Sequence, residues 1–415
     1  MLHDTPLRNH HQAYADRIAG ATASAASSYQ VDRPGAADGT VSTPEVEYIA
    51  FGSADDDAPR YALCATLGSV ELEYAAIRRG AGVLDLPHRA TLRVTGTDRR
   101  AFLNRMLTQE LAPLEPGLSA SSFWLNRTGR IDADLVVVES ENETLLLLDR
   151  HQAHAAATSL ASFIIMEEVL IENVSEAWHH LALHGPSALQ VLAHASGDDE
   201  VHIADQACGA IALDGVSCTV VRRDTCATVG VDILVPRDAI ETVWAALVSA
   251  DDTVADGRRR VRPIGWYAFN IARIEAGTPL FNVDFGTSSL PHETGIVEQR
   301  VSFTKGCYLG QEVVARMHSR GRSKQIIVAY RMERHDAMPV AGTQVYADDD
   351  ETLATPSGVV TSSSVSPMLG AASIGFATVR TTIAKGDTAL RMNIDGAPER
   401  AIVQPTLTFL HGNDT

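Results

Sequence analysis

Residues 304–324 read TKGCYLGQEVVARMHSRGRSK, and they fall at the junction of two textures. Before them, strand-like segments come in pairs with helical segments between, the pattern of α+β layers rather than an alternating parallel sheet. After them the chain turns to short strands separated by turn residues, QIIVAYRM, TQVYA, SGVVTSSSV, SIGFATVR, DTALRMN and RAIVQPTLTF. That spacing predicts a small antiparallel barrel or sandwich.

Within the junction, Gly306 and Gly310 permit backbone angles that other residues avoid, so KGCYLG is expected to be a tight turn that displays one side chain, Cys307. On an extended backbone Lys305 and Cys307 share a face about 7 Å apart. At an effective dielectric near 20 their attraction is roughly 2 kcal/mol before screening, enough to lower a thiol pKa by about one unit. Such a thiol is a nucleophile or metal ligand at neutral pH. The other reading of Cys307 is a small buried filler beside a structural turn. Arg316, His318, Arg320, Arg322 and Lys324 then occupy alternate positions, which on a strand puts all five on one face. This stripe is either an anion site, for a carboxylate tail, an acidic partner or RNA phosphates, or a solvated edge strand guarded by charge.

Working outward, residues 1–57 form an extension in which an Ala-rich helical piece leads into DRPGAADGTVSTPE, where Pro, Gly, Ser and Asp defeat regular structure. Ordered structure is expected from near residue 58. Strands are predicted at 91–95, 119–125, 132–138, 143–148 and 167–173, and helices at 98–108, 151–163 and 264–276. The expected division is 1–57, partly disordered, 58–325 as two α+β lobes, and 326–411 as the barrel.

Thirty-four basic against 52 acidic side chains leave a net charge of -18, which opposes non-specific binding to nucleic acid or anionic lipid. No run of about 18 apolar residues is present to span a membrane. Five cysteines without paired short spacings fit neither a zinc site nor a disulfide framework, and point to a reducing cytoplasm. No His, Asp or Glu cluster has metal-site spacing.

The run RIEAGTPLFNVDFGTSSLPHETGIVEQRVSFTKGCYLGQEVVAR, residues 273–316, closely resembles the C-terminal signature of YgfZ-type proteins, folate-binding relatives of the glycine cleavage T-protein associated with iron-sulfur cluster assembly and repair. Lys305, Gly306, Cys307, Tyr308, Gly310, Gln311 and Glu312 all match its Lys-Gly-Cys-Tyr/Phe-x-Gly-Gln-Glu motif. EYAAIRRGAGVLDL, RVTGTDRRAFLNRM, LNRTGRIDADLVV, LALHGPSALQVL and SGVVTSSSVSP resemble the wider T-protein superfamily more loosely. The resemblance implies an α+β, three-lobed T-protein-like fold around a central folate site, with a C-terminal antiparallel β-barrel.

Departures from the superfamily pattern matter. Its aminomethyl-transferring enzymes carry Gly-Gly-Ile-x-Asp-Asp-Leu, whose acidic pair supplies the catalytic carboxylate, where this chain has GRIDADL. Ala133 takes one acidic place, Asp134 remains, and Asp132 is displaced by one position. The segment resembling Thr-Gly-Glu-x-Gly-Phe-Glu falls on CATVGVD, with Thr228 and Asp232 in place of the two glutamates. By resemblance, tetrahydrofolate or a one-carbon derivative is expected near Asn126, Asp134, Asp232 and Trp266. Cys307, assisted by Lys305, is expected at the pocket rim as a transient iron-sulfur cluster ligand or in one-carbon chemistry. The expected partners are folate and iron-sulfur assembly or client proteins. The rivals are a tetrahydrofolate-dependent aminomethyltransferase or demethylase, and an RNA-binding module that uses the basic stripe.

Overall fold

The computed structural model describes residues 2–28, 46–52, 59–249, 260–321 and 323–410. In chain order the first half comprises β1 (Leu2–His3), α1 (Arg8–Ser28), β2 (Glu47–Phe51), β3 (Arg60–Thr66), α2 (Val70–Arg79), β4 (Ala81–Asp85), β5 (Arg89–Thr95), α3 (Arg99–Met106), β6 (Ser119–Leu125), β7 (Ile131–Glu139), β8 (Thr144–Asp149), α4 (Arg150–Ala161) and β9 (Leu170–Asn173). It continues with β10 (Trp178–His184), α5 (Ala188–Ser196), β11 (Cys208–Leu213), β12 (Val216–Arg222), β13 (Gly230–Pro236), α6 (Ile240–Ser249), β14 (Val261–Ile264), α7 (Trp266–Glu275), α8 (Val297–Arg300) and α9 (Gln311–Arg320). The last six strands are β15 (Gln325–Met332), β16 (Gln344–Ala347), β17 (Gly358–Ser366), β18 (Ala372–Arg380), β19 (Ala389–Ile394) and β20 (Ala397–Val403).

Two sheets carry the α+β region, one in the order β6-β7-β8-β5-β9 and one in the order β11-β12-β13-β10-β4-β14. Period-2 alternation assigns the faces of their strands. On β7, Ala133, Leu135 and Val137 pack into one core with Phe102, Leu103 and Leu160 of α3 and α4. On β13, Val231, Ile233 and Val235 pack toward α5 and α6. The opposite faces meet each other: Val136 and Val138 of β7 and Leu145 and Leu147 of β8 touch Val221 of β12 and Leu234 of β13. Asp134 and Asp232 lie two residues before Val136 and Leu234, so they share those inner faces where the apolar contact stops. Beyond them, β15-β18-β17-β16-β19-β20 close a barrel around Val345, Val360, Leu390 and Met392.

Order begins well before residue 58, and the extension packs into the core of a neighbouring sheet. Leu7 is 0% exposed and Tyr14 is buried beside it in the core of the six-stranded sheet, while β1 and β2 flank β3. Thr5 and His179 both hydrogen-bond the buried Asp85 carboxylate, so β4 anchors the N-terminal segment by polar contacts as well. The short spacing of Leu7, His11, Tyr14 and Ile18 is a helical stripe that the turn-rich sequence after it obscured. That later stretch, 29–45, lies outside the described residues.

Candidate functional site

Beside the apolar contact of the two sheets lies a cavity in two parts. The inner recess, of about 60 Å³, is lined by residues including Phe51, His88, Asp134, Asp149, Arg223, Trp266 and Phe281. The outer chamber, of about 680 Å³, is lined by Gln109, Glu110, Arg222, Arg223, Gln299 and Arg300 among others, and shares Val136 and Arg223 with the recess. A drug-sized ligand needs a cleft of some 300–1,000 Å³.

Charged groups around the recess are arranged in pairs. Arg300 donates to Asp134 at 2.9 Å, Arg223 donates to Asp232 at 2.6 Å, and Arg89 donates to Asp149 at 2.7 Å. Asn282 adds a second hydrogen bond to Asp149 at 2.8 Å. Carboxylates held this way present their remaining lone pairs to a ligand N–H in a fixed direction. Trp266 and Phe281 supply flat apolar walls, and Phe51 packs between His88, at 4.5 Å between ring centroids, and Trp266, at 5.9 Å.

Asp134 and Trp266, singled out from the sequence, therefore line the recess, and Asp232 stands one salt bridge behind it. Asn126 does not. Its Oδ1 accepts from Thr128 N at 3.0 Å, Thr128 Oγ1 at 2.7 Å and Arg130 N at 3.2 Å, and its Nδ2 donates to Asp132 at 2.9 Å. It staples the β6–β7 turn. Arg223, His88 and Asp149 were not singled out, because each lies outside the quoted motifs, and neither was Arg300, which precedes the Lys-Gly-Cys-Tyr core of its run. For Arg300 the one available signal was its position inside the 273–316 run.

The motif loop turns and displays Cys307, but it does not set Lys305 beside the thiol as an extended backbone would. Lys305 is only 8% exposed, and its Nζ donates to the carbonyls of Asn104 at 2.6 Å, Leu107 at 2.9 Å and Gln109 at 2.7 Å. Burial pulls its ammonium down to about 8, and three acceptors spend its three N–H bonds, so it is a structural clasp rather than a partner for Cys307. Gly310 has φ +81°, and a Cβ there would come within 2.8 Å of the Asn126 carbonyl oxygen, so the loop sits directly on the β6–β7 turn. Tyr308 is buried against that contact, in one core with Leu125, Ile131 and Val314. Gly306 and Cys307 are exposed, and Cys307 lines neither chamber of the cavity.

After the loop comes helix α9, not a strand. Gln311 and Glu312 open it, and Val314 is buried on its inner side with Val313 and Met317 partly covered. The i, i+3, i+4 apolar spacing outweighed the alternating charges. On a helix, residues two apart point to different sides, so Arg316 and His318 do not form one face. His318 instead stacks on Phe303 at 3.8 Å. Lys324 is exposed just before β15, while Arg322 lies outside the described residues, as does the Arg320 side chain. The stripe on which RNA binding rested is thus dissolved.

Comparison with known proteins agrees with this architecture. Residues 58–305 match the GCVT N-terminal domain, and residues 326–409 match the glycine cleavage T-protein C-terminal barrel domain. The chain belongs to the GCVT family. Among the similar relatives of this GCVT-family protein, an aminomethyltransferase of Caldanaerobacter subterraneus subsp. tengcongensis is 27% identical over 368 residues, covering 87% of this chain and 94% of that one. An aminomethyltransferase of Desulforamulus reducens is 28% identical over 302 residues, covering 72% and 78%. The crystal structure of the glycine cleavage system aminomethyltransferase T from Bartonella henselae superposes with a TM-score of 0.76 at 22% identity, over 88% of this chain and 95% of that one. The last likeness establishes the T-protein-like fold with its closed barrel. Among the described residues, no helix is long and apolar enough to cross a membrane.

Proposed function

We propose that this GCVT-family protein binds a reduced folate in the cavity between its sheets and acts there as a tetrahydrofolate-dependent one-carbon transferase, of the aminomethyltransferase or demethylase kind. The observation that carries the reading is the orientation of β7. Ala133, which replaces one acid of the enzymes' pair, faces the core of α3 and α4, whereas Asp134 faces the cavity. The acid lost to Ala133 is one that would have pointed into hydrocarbon, and the acid retained is the one within reach of a ligand. The similarity to aminomethyltransferases supports the same direction.

The residues fit a folate. The outer chamber has the volume for the body of the molecule, the N–H groups that Arg222, Arg223 and Arg300 do not spend on Asp224, Asp232 and Asp134 can meet a carboxylate tail, and Trp266 and Phe281 wall a recess that takes the edge of a flat ring. Tetrahydrofolate, when bound, supplies the ring nitrogen that carries the one-carbon unit. Asp134 would accept a hydrogen bond from the ligand and take up or return a proton at its carboxylate. Arg300 holds that carboxylate in place, and Asp232 does the same for Arg223. The apolar contact behind them keeps bulk water from the inner end.

The test is a titration of tetrahydrofolate followed by tryptophan fluorescence, beside methylene-tetrahydrofolate formation from an aminomethyl donor. Asp134→Asn should bind within a few-fold of wild type yet lose about 10²–10⁴ in turnover, the range for a general acid-base group. Absence of wild-type binding at millimolar folate sinks the reading, and an Asp134→Asn variant with full turnover removes Asp134 from the mechanism.

A second reading rests on a separate observation. Of the five cysteines only Cys307 is exposed, and it stands on a rigidly clasped loop outside the cavity. That display supports a thiol that ligates an iron-sulfur cluster in transit to client enzymes. Deletion of the gene, complemented with wild type or Cys307→Ser and read by cellular [4Fe-4S] enzyme activity, tests it: equal rescue by both excludes the thiol.

A further inference from the structure

The connection Leu86–His88 between β4 and β5 sets one imidazole into the wall of the inner recess. His88 is 6% exposed, with Phe51 over one side and Trp266 at 6.4 Å on another. Every other ionisable side chain lining the recess already has a protein partner: Arg89 with Asp149, Asp134 with Arg300, and Arg223 with Asp232. Neither ring nitrogen of His88 has a hydrogen-bond partner among the described residues. Only Nδ1 is sealed from solvent, so Nε2 is the nitrogen that opens onto the cavity. His184 is as deeply buried with a sealed Nδ1, but it stacks on Phe269 at 5.4 Å and lines neither chamber.

Chemistry then selects the tautomer. Burial pulls His88 down to about 4, so at neutral pH the ring is uncharged and carries one hydrogen. A sealed N–H without an acceptor is costlier and rarer than a sealed lone pair without a donor. The hydrogen therefore belongs on Nε2, where it faces the recess as an unused donor, beside the carboxylates of Asp134 and Asp149 as acceptors.

We propose that His88 is a ligand-binding residue of the recess, its Nε2–H donating to an acceptor atom on the edge of the folate ring system. Ring N–H groups would go to the neighbouring carboxylates, so His88 selects for a ring edge that offers an acceptor as well as donors. This rests on the folate reading of the cavity.

The experiment titrates tetrahydrofolate into wild type, His88→Leu and His88→Gln, following tryptophan fluorescence and heat of binding, with a melting curve for each protein. His88→Leu removes the donor and also the sealed nitrogen, so it should melt at or above the wild-type temperature while binding about tenfold more weakly. His88→Gln, whose amide reaches the position of Nε2, should return to within about threefold of wild type. A structural role alone would give the opposite pairing, lower melting with unchanged affinity. His88→Leu binding within twofold of wild type overturns the proposal, as does a folded His88→Gln that binds no better than His88→Leu. If wild type binds no folate, the cavity reading and this one fail together.

Discussion

Asp134 and Arg300 stand 166 residues apart in the chain and meet at 2.9 Å, joining β7 to the end of α8 across the cavity wall. Their side chains are 17% and 11% exposed, so neither charge is well hydrated without the other. Arg300→Leu should cost roughly 2 kcal/mol of stability, less than the 3–5 kcal/mol typical of a fully buried broken pair. A double-mutant cycle with Asp134→Leu, read by urea unfolding, should return a coupling above about 0.5 kcal/mol. Strict additivity would mean that the two charges do not interact.

Lys305 clasps three carbonyls that no other described side chain serves. Lys305→Met keeps the aliphatic stem and strands those acceptors, with an expected loss of about 3 kcal/mol and a matching fall in melting temperature. The reactivity of Cys307 toward a thiol reagent should change little in this variant, because the ammonium is engaged elsewhere. A Lys305→Met protein that melts with wild type would refute the clasp.

Cysteine labelling separates display from burial. Cys64, Cys218 and Cys226 are buried, and Cys208 is half-covered and hydrogen-bonded to the Leu118 carbonyl at 3.2 Å. Burial also pushes the Cys208 and Cys218 thiols up to about 11. Native protein should therefore take up one equivalent of a maleimide rapidly, and Cys307→Ser should abolish that phase while leaving the slower ones. Two fast equivalents in wild type would contradict the structure.

Acid stability follows from the buried histidines. Burial pulls His184 down to about 4, whereas an unfolded imidazole titrates near 6.5. Between those values the unfolded chain holds the extra proton, so this group's contribution is complete above pH 6.5 and is lost as pH falls toward 4. The full loss is roughly 3 kcal/mol for one such residue. His11 and His88 shift in the same direction for the same reason. His184→Leu should flatten the pH dependence of unfolding free energy by about one proton across this window, and an unaltered slope would assign the acid sensitivity to other groups.

Much of the secondary structure was legible because it rests on local periodicity. The strands β5, β6, β7 and β8 and the helices α3, α4 and α7 lie within a few residues of where apolar spacing put them. The errors came where two periods competed. In residues 311–324 alternating charges suggested a strand, and the burial of Val314 against Tyr308 and Leu125 selected the helix instead. The N-terminal segment was misjudged because its stripe is short and its value appears only when Leu7 meets the six-stranded sheet.

What the sequence determined by itself was the alternation that puts Asp134 and Asp232 on the faces they occupy, the turn glycines of the motif loop, and the change of texture that marks the barrel. These are properties of neighbouring residues. The cavity, the partners of Asp134 and Asp232, the unpartnered nitrogens of His88 and the capture of Lys305 by three carbonyls were decided by the tertiary structure. Each brings together groups far apart in the chain, and a charge or a hydrogen bond depends on distance through space, which local pattern does not encode.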